Sequence, residues 1–143
     1  MSASICLDRL LTQGNIAIVR RAYEAVDARD VDKLKAMTTP DLVLRASPAT
    51  DGKVHHGPEG IAEIFQAIRD RWREFHFEPL EFYIAGKRVL VLGTMVTKGK
   101  DEDGFASTAG QIWTLEDDKV VSVEAFLDTE SAIRAAGLTR LLS

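Results

Sequence analysis

The spacing of the apolar residues changes about halfway along the chain, and this change constrains the fold more than any other feature of the sequence. Before Phe77 apolar residues recur at intervals of three and four, whereas from Phe77 onward they largely alternate with polar residues. The first spacing is typical of amphipathic helices and the second of half-buried strands. Helices followed by consecutive strands predict an α+β fold in which helices cover one face of a curved antiparallel sheet.

Three helices are expected in the first half of the chain. The first covers about residues 13–28, and a short second helix follows the capping residue Asp30 and ends before Pro40. A third helix begins at Pro58, whose fixed φ suits a first helical position. Its apolar stripe consists of Ile61, Ile64, Phe65, Ile68 and Trp72. Residues 46–57 show no periodicity, so we expect a loop that covers or lines something.

The strands are expected on either side of this third helix. Asp41 to Arg45 predicts a short strand before the loop, and four longer strands follow the helix. The longer strands cover residues 77–85, 88–98, 105–115 and 119–127. Their short connections predict an antiparallel meander, and a last helix over about residues 129–136 ends at Gly137.

The turn between the last two strands leaves their register open. With a two-residue turn at Asp117 and Asp118, Gln111 lies opposite Glu124 and shares a face with Asp128. With a three-residue loop, the Gln111 face meets a different set of residues, namely Val123, Ala125 and Leu127. Asp128 then moves to the outer face or the rim. Two Asp residues are a poor pair for a turn that needs positive φ at both positions, so the turn chemistry does not choose between the registers.

Length and composition limit the partners and the compartment. The 143 residues contain no linker or repeat and predict one domain over 1–143, with residues 1–12 as an N-terminal extension able to form a short helix. Eighteen Lys and Arg against 22 Asp and Glu give a net charge of −4, which argues against a nucleic acid or an anionic membrane as partner. The single Cys6 has no disulfide partner and predicts a reducing, cytoplasmic location.

Three other classes of feature are missing from the sequence. The N-terminus is not a convincing signal peptide, and no stretch approaches the roughly 20 apolar residues of a membrane span. The three His residues and the scattered acids show no ligand spacing. We therefore expect no membrane association, no metal and no cofactor.

Four features of the sequence stand out together: an early Tyr-containing helix followed by a short turn and Asp30, HGPEGIAEIF at 56–65, IAGKRVLVLG at 84–93 and KVVSVEAFLDTESAIRAAGL at 119–138. Together they resemble the SnoaL-like branch of the nuclear-transport-factor-two-like and ketosteroid isomerase-like superfamily. The resemblance implies a cone-shaped α+β roll of the cystatin-like kind, in which a strongly bent sheet wraps round a long helix, a pocket opens at the wide end and homodimers are frequent. The superfamily includes polyketide cyclases, ketosteroid isomerases, epoxide hydrolases and proteins that only bind, so the fold alone does not decide the function.

The same resemblance allows the residue patterns of the ketosteroid isomerases and the epoxide hydrolases to be compared with this sequence. The ketosteroid isomerase pattern would place a carboxylate base at Ala46, a protonated acid at Gln111 and a phenol near Ala22 or Tyr23. Alanine cannot accept a proton, so we reject the steroid-type proton shuttle even though Tyr23 and Gln111 can donate hydrogen bonds. The Asp-Arg-Asp set of the epoxide hydrolases has no clean match.

The resemblance to polyketide cyclases implies a general acid or base at Asp128, near the last strand-to-helix junction. Asp128 is followed by Thr129 and Ser131, so a plain helix-capping role competes with catalysis there. His56 is the second candidate for proton transfer, although two His residues in a Gly-bounded loop are more often surface residues. The candidate binding residues, which supply apolar walls and hydrogen-bond donors, are Tyr23, Phe65, Trp72, Gln111, Trp113 and Phe126.

Two functions from different classes follow. The first is a cofactor-free acid-base enzyme, of the cyclase or isomerase type, acting on an apolar carbonyl-bearing substrate. The second is a non-catalytic ligand-binding or dimerisation module of the same fold, which the alanine at position 46 favours. We also expect a mostly apolar pocket of roughly a few hundred Å³ between the third helix and the sheet. Since the strands offer more apolar positions than one face needs, we expect a homodimer through the outer face of the sheet.

Overall fold

The computed structural model describes residues 3–100 and 104–138, with side chains described from residue 14 onward. These residues form four helices and six strands. The helices are α1 (Ala3–Asp27), α2 (Val31–Ala36), α3 (Glu59–Arg71) and α4 (Thr129–Ala135). The strands are β1 (Thr38–Arg45), β2 (Val54–His56), β3 (Trp72–Ala85), β4 (Arg88–Gly99), β5 (Gly104–Glu116) and β6 (Lys119–Phe126).

The strands form one curved, unclosed sheet in the order β2-β1-β6-β5-β4-β3. Strands β3 to β6 make the predicted antiparallel meander, and the α+β fold class is confirmed. One pair departs from the expected antiparallel sheet, because β1 runs parallel to β6. Strand β1 lies between α2 and α3 and is distant from β6 in the sequence, so no hairpin constrains the relative direction of the two strands.

Two apolar clusters lie on opposite faces of the sheet. On the concave face, α1 and α3 cover buried residues that include Val89, Val91 and Trp113. On the outer face, α4 and its C-cap residue contribute Ala132, Ile133 and Ala136, which pack on Leu90, Leu92 and Ile112 of the sheet. The chain therefore covers part of its own outer face, and the surplus of apolar strand residues does not require a partner there. The homodimer through this face stays a prediction.

Three element boundaries differ from the predicted ones. Helix α3 ends at Arg71, and Trp72 has an extended backbone that begins β3, so Trp72 does not continue the helical stripe. The apolar spacing did not reveal this, because the Trp72 ring is held from outside the helix, by a hydrogen bond from its indole nitrogen to the Ala49 carbonyl (2.6 Å). Strand β2 lies inside the predicted loop, where Val54 pairs with Arg45. Helix α1 extends back to Ala3 through most of the predicted N-terminal extension.

The connection between β5 and β6 combines features of both predicted registers. Asp117 and Asp118 form a two-residue turn with positive φ at both positions (50° and 65°), so Glu116 pairs with Lys119. A β-bulge then follows, because Leu115 pairs with Val120 whereas Thr114 pairs with Ser122. The bulge inserts Val121 and reverses the faces of β6 beyond it. The concave face of β5 therefore meets Val123 and Ala125, as the alternative register predicted.

The close packing of α4 on the sheet predicts a strong effect of a small change at Gly110. A Cβ atom added there would lie 2.5 Å from the Ala132 Cβ and 3.3 Å from Leu92 Cδ2. We expect Gly110→Ala to lower the free energy of unfolding by about 1–3 kcal/mol in urea titrations, because α4 must move away. The control is Gly14→Ala, a helical position with nothing within 4 Å of the added atom. It should be neutral or stabilise by up to about 1 kcal/mol, and equal losses in both variants would contradict this account of α4.

Candidate functional site

A cavity of about 170 Å³ lies between the concave face of the sheet and helices α1, α2 and α3. It is smaller than the few hundred Å³ predicted, and close to an engineered cavity of about 150 Å³ in another protein that admits benzene. Its walls are mainly apolar side chains, among them Leu42, Phe65, Ile68, Phe77 and Val123. Its volume suits a small molecule with one ring or a short chain.

Three polar side chains of α1 and β5 form a hydrogen-bonded network in the wall of this cavity. The Trp113 indole nitrogen donates to the Tyr23 hydroxyl oxygen (2.9 Å), and the Tyr23 hydroxyl donates to Gln111 Oε1 (2.6 Å). The indole also lies 3.2 Å from Gln111 Oε1. Tyr23 and Trp113 are each only 5% exposed, and their rings meet edge to face at 5.1 Å. The network thus ties the first helix to the middle of the sheet.

The network also orients the Gln111 amide. An indole nitrogen can only donate, so the end of the amide that faces Trp113 must be the oxygen. Gln111 Nε2 then points away from the network, and no group in the described part of the chain accepts a hydrogen bond from it. The cavity therefore contains a polar donor that is fixed in place and available to a bound molecule.

Burial determines the charge state of Tyr23. Loss of solvation raises the pKa of its phenol well above the usual range, and the hydrogen bond from Trp113 only partly opposes this. The hydroxyl is therefore neutral and remains a hydrogen-bond donor under all ordinary conditions. Gln111 and Trp113 carry no charge either, so the buried network as a whole is neutral.

Charged residues border the cavity where it approaches solvent at the end of α1. Asp27 lies there with 52% of its side chain exposed and contacts His76, with 3.1 Å between Asp27 Oδ1 and His76 Nδ1. Arg29 donates to the Phe75 carbonyl oxygen (3.0 Å) and lies over the Phe65 ring. Sequence reasoning did not select Asp27 or Arg29, since charged residues at the end of an amphipathic helix are ordinary surface residues in a sequence.

The structure brings five of the predicted site residues to this cavity. These are Tyr23, Phe65, Gln111, Trp113 and Phe126. Phe126 also packs against the cluster beneath α4. Trp72 lies elsewhere, at a second cavity beside Pro48 and Ala49. The role of each as a ligand contact stays a prediction.

His56 and its neighbour His55 lie in β2, away from both cavities. His56 is exposed, whereas His55 is held between two carboxylates, with Nε2 2.8 Å from Asp51 Oδ2 and Nδ1 2.8 Å from Glu63 Oε1. Partial burial lowers the pKa of His55, but the hydrogen bonds to Glu63 and Asp51 outweigh it and raise the pKa overall. The ion pairs fasten the end of the 46–53 loop to helix α3.

Asp128 lies at the N-terminus of α4, outside the cavity. Its Oδ1 accepts from the Ser131 backbone N–H (2.7 Å) and its Oδ2 from the Ser131 hydroxyl (2.9 Å). These two hydrogen bonds, which favour the charged form, lower the pKa of the carboxyl group. The structure thus shows the predicted helix cap. Because the bulge reverses the faces of β6, Asp128 does not share the concave face with Gln111. A catalytic role for Asp128 or His56 stays a prediction.

Among the side chains that the structure describes, those of residues 14–100 and 104–138, no group of three or more His, Cys, Asp and Glu is arranged to hold a metal ion. Within residues 3–100 and 104–138, no helix has the length and apolar character needed to cross a membrane.

Comparison with known sequences identifies the family. The profile of the SnoaL-like domain matches residues 19–123, which is most of the chain. The chain belongs to the SnoaL-like domain family. The resemblance seen in the sequence is therefore confirmed. No curated protein matches this SnoaL-like domain in sequence.

Solved structures with the same fold include three instructive examples. A nuclear transport factor 2-like protein of unknown function from Burkholderia pseudomallei is 26% identical, with a TM-score of 0.73 over 85% of this chain and 95% of its own. TerC, co-crystallised with polyporic acid, is 22% identical, with a TM-score of 0.74 over 87% and 98% of the two chains. A protein of ketosteroid isomerase-like fold from Catenulispora acidiphila, in complex with trimethylamine, is 18% identical, with a TM-score of 0.68 over 85% and 93%. The last two likenesses concern the fold alone.

The buried network predicts a stability cost when the Tyr23 hydroxyl is removed. Tyr23→Phe leaves Trp113 with only its longer contact to Gln111 and removes the donor to Gln111 Oε1. We expect a loss of about 1–3 kcal/mol in the free energy of unfolding, measured by Trp fluorescence in urea. Tyr83→Phe is the matched control, because its hydroxyl contacts Glu81 at an exposed position. The control should stay within about 0.5 kcal/mol of the unmodified chain, and similar losses would contradict the importance of the network.

The ion pairs of His55 predict a pH-dependent contribution to stability. Because its pKa is raised on folding, the contribution of His55 is complete below its unfolded pKa of about 6.5 and is lost as pH rises through the higher folded value. The pKa of Asp51 is lowered on folding, with burial opposing and hydrogen bonds from Lys53 and His55 prevailing, so its contribution is lost at low pH. We therefore expect His55→Gln to destabilise most between about pH 4 and 6.5. His56→Gln, at the exposed neighbouring position, should not follow this window in thermal melts, and a pH-independent effect of His55→Gln would refute the assignment.

Proposed function

We propose that this SnoaL-like domain binds a small, mostly apolar molecule that carries a carbonyl group or a similar hydrogen-bond acceptor. The observation that carries the proposal is Gln111 Nε2, a fixed donor at the wall of an apolar cavity with no acceptor in the described part of the chain. The surrounding residues contribute apolar contact, and the amide contributes orientation. This combination is the usual composition of small-molecule sites.

The energetics of burial favour an acceptor as the ligand group. A polar donor in an apolar environment loses free energy unless it is hydrogen-bonded. A ligand carbonyl at Gln111 Nε2 supplies that bond, whereas a purely hydrocarbon ligand displaces water from the amide and leaves it unpaired. Tyr23 and Trp113 are already paired with each other and with Gln111, so they hold the amide in place and need no ligand group.

Two structural neighbours support small-molecule binding. TerC has been co-crystallised with polyporic acid, and the protein from Catenulispora acidiphila forms a complex with trimethylamine. Both share the fold of this chain at low sequence identity, so they support a ligand-binding function in general without indicating the compound.

The composition of the cavity favours binding over acid-base catalysis. Ala46 borders the cavity at the position where the isomerase pattern has its base, and it cannot accept a proton. Among the described residues that line the cavity, Asp27 is the one carboxylate, and it is half exposed at the border. A carboxyl group that acts as a general acid or base near neutral pH usually needs burial in an apolar pocket to raise its pKa.

A cofactor-free acid-base enzyme is the second candidate function. The supporting observation is the contact of Asp27 with His76, since a carboxylate that orients an imidazole at a cavity border is a common arrangement for proton transfer. The His76 ring contacts a second carboxylate as well as Asp27, because its Nε2 lies 3.0 Å from Glu78 Oε2. A substrate would have to displace Glu78 before His76 could act on it.

The proposed binding mode predicts a preference for acetophenone over ethylbenzene, two probes that differ mainly in the carbonyl group. We expect acetophenone to bind about 2- to 10-fold more tightly, the effect of one net hydrogen bond, in NMR titrations that follow the side-chain amide of Gln111. Gln111→Leu, in which binding is followed by the Trp113 indole signal instead, should abolish the preference. Gln66→Leu makes the same chemical change on the exposed side of α3, where Gln66 bonds Asp70 and Arg69, and should retain it.

If acetophenone does not shift the Gln111 amide, or if the two probes bind with equal affinity, the proposed binding mode is wrong. Incubation of acetophenone with the protein in heavy water distinguishes the two functions. Binding without exchange of the acetophenone methyl protons supports a binding module. Exchange that the protein accelerates and Asp27→Asn abolishes supports the acid-base enzyme.

A further inference from the structure

A second cavity, of about 370 Å³, lies beside the first and is here called the outer groove. Its sheet side is formed by Met95, Thr97, Phe105, Ser107 and Leu127. Residues Pro48, Ala49, Arg71 and Trp72 form the opposite side. This groove is more open to solvent than the first cavity.

The first cavity, here called the inner cavity, and the outer groove both lie on the concave face of the sheet. Along β5, the side chains of Phe105, Ser107, Ala109 and Gln111 alternate onto the concave face, because successive residues of a strand point to opposite sides. The first two residues line the outer groove and the last two line the inner cavity. The two spaces are therefore neighbouring parts of the same trough.

A thin partition separates them. Residues 46–50 form a dividing loop in which Ala46, Ser47 and Thr50 border the inner cavity and Pro48 and Ala49 border the outer groove. The loop is held across the trough by Trp72 Nε1, which donates to the Ala49 carbonyl (2.6 Å), and by Arg71 Nη1, which donates to the Pro48 carbonyl (2.7 Å). On the sheet side the partition is a side chain, because Met95 borders both spaces.

Met95 is suited to connect the two spaces. A methionine side chain has three rotatable bonds and no branch, so it can change its path through a packed region at little cost. A rotation of Met95 would remove the side chain that both spaces share and would not involve the hydrogen bonds that hold the dividing loop. A ligand with a flexible chain can then extend from Gln111 into the outer groove.

The outer groove also exposes apolar surface that the fold does not use. Phe105 is 65% exposed and Leu127 is 44% exposed. Both belong to the concave trough, where large apolar side chains are otherwise covered. Exposed apolar residues that line a groove indicate a binding site more strongly than scattered ones do.

Resting on the proposed function, we propose that the outer groove binds the apolar tail of the same molecule whose carbonyl lies at Gln111. The substrate class is then an elongated aryl or alkyl ketone rather than a compact one. The argument for a ligand tail is continuity with the inner cavity through Met95. A protein partner is disfavoured, because stable interfaces bury about 800 Å² on each side, much more than this concave groove offers.

Acetophenone and octanophenone test this proposal, because they share the phenyl ketone and differ in a flexible six-carbon extension. We expect octanophenone to bind at least about tenfold more tightly in calorimetric titrations, since each buried methylene group adds to affinity. Phe105→Ser should remove most of this gain and leave acetophenone binding unchanged. The matched control is Leu80→Ser, a residue 63% exposed in β3 outside the groove, which should leave both affinities unchanged.

The outcomes separate the two proposals. If acetophenone does not bind, the proposed function fails. If acetophenone binds and octanophenone gains nothing, or if Phe105→Ser and Leu80→Ser act alike, the outer groove is not the tail site. Light scattering tests whether a second copy of the chain occupies the groove instead. If the protein has twice the mass of one chain, if Phe105→Ser abolishes this dimer and if octanophenone leaves it unchanged, the groove is a dimer contact and the proposal is wrong.

Discussion

The β-bulge at Val121 is the constraint on which the arrangement of the site depends. Without it, the two-residue turn at Asp117 and Asp118 would place Glu124 opposite Gln111 on the concave face. With it, the small side chain of Ala125 faces Gln111, and Glu124 points to the outer face. A carboxylate beside Gln111 would compete for its amide protons, whereas Ala125 leaves them available. Because of this one inserted residue, the site beside Gln111 is neutral and does not contain a carboxylate.

The neutral network of Tyr23, Gln111 and Trp113 helps to determine the shape of the cavity. Two short hydrogen bonds join Tyr23 on α1 to Trp113 and Gln111 on β5; Tyr23 and Trp113 are buried and Gln111 is partly buried. Buried polar groups cost free energy unless they are paired, so the pairing fixes the distance between helix and sheet. Purely apolar contacts would allow the helix to slide and the cavity to collapse. The specificity of the packing and the shape of the cavity therefore have one origin.

The sequence predicts the layers of the fold well and the site less well, for physical reasons that particular residues show. Periodicity identifies α1, α3 and the meander because burial on one face determines which residues are apolar. Tyr23, Gln111 and Trp113 could be selected for the same reason, as polar groups on apolar faces. The bulge could not, because Val121 fits a regular strand as well as a bulged one. Asp128 was assigned two roles, and the side of the sheet it occupies follows from that bulge.

Long-range contacts explain the other differences. Trp72 continues a helical stripe in the sequence, yet the Ala49 carbonyl, 23 positions earlier, fixes its indole in place. Local propensity cannot anticipate a hydrogen bond to a loop of unknown path. The loop itself, recognisable only by its lack of periodicity, divides the trough into two spaces. Met95 and Phe105 gain their significance from that division and carry no signal of it in the sequence.

The electrostatics of the cavity favour a neutral ligand over a charged one. Burial keeps the Tyr23 phenol protonated, Gln111 is an amide, and the positions that carry acids in the isomerase pattern are Ala46 and Gln111. An ionised group placed beside Tyr23 and Gln111 would lose its hydration, a cost of several kcal/mol that one amide donor does not offset. A carbonyl oxygen needs a single donor, and Gln111 Nε2 supplies one. The residues at the two isomerase positions, Ala46 and Gln111, therefore leave this part of the cavity uncharged.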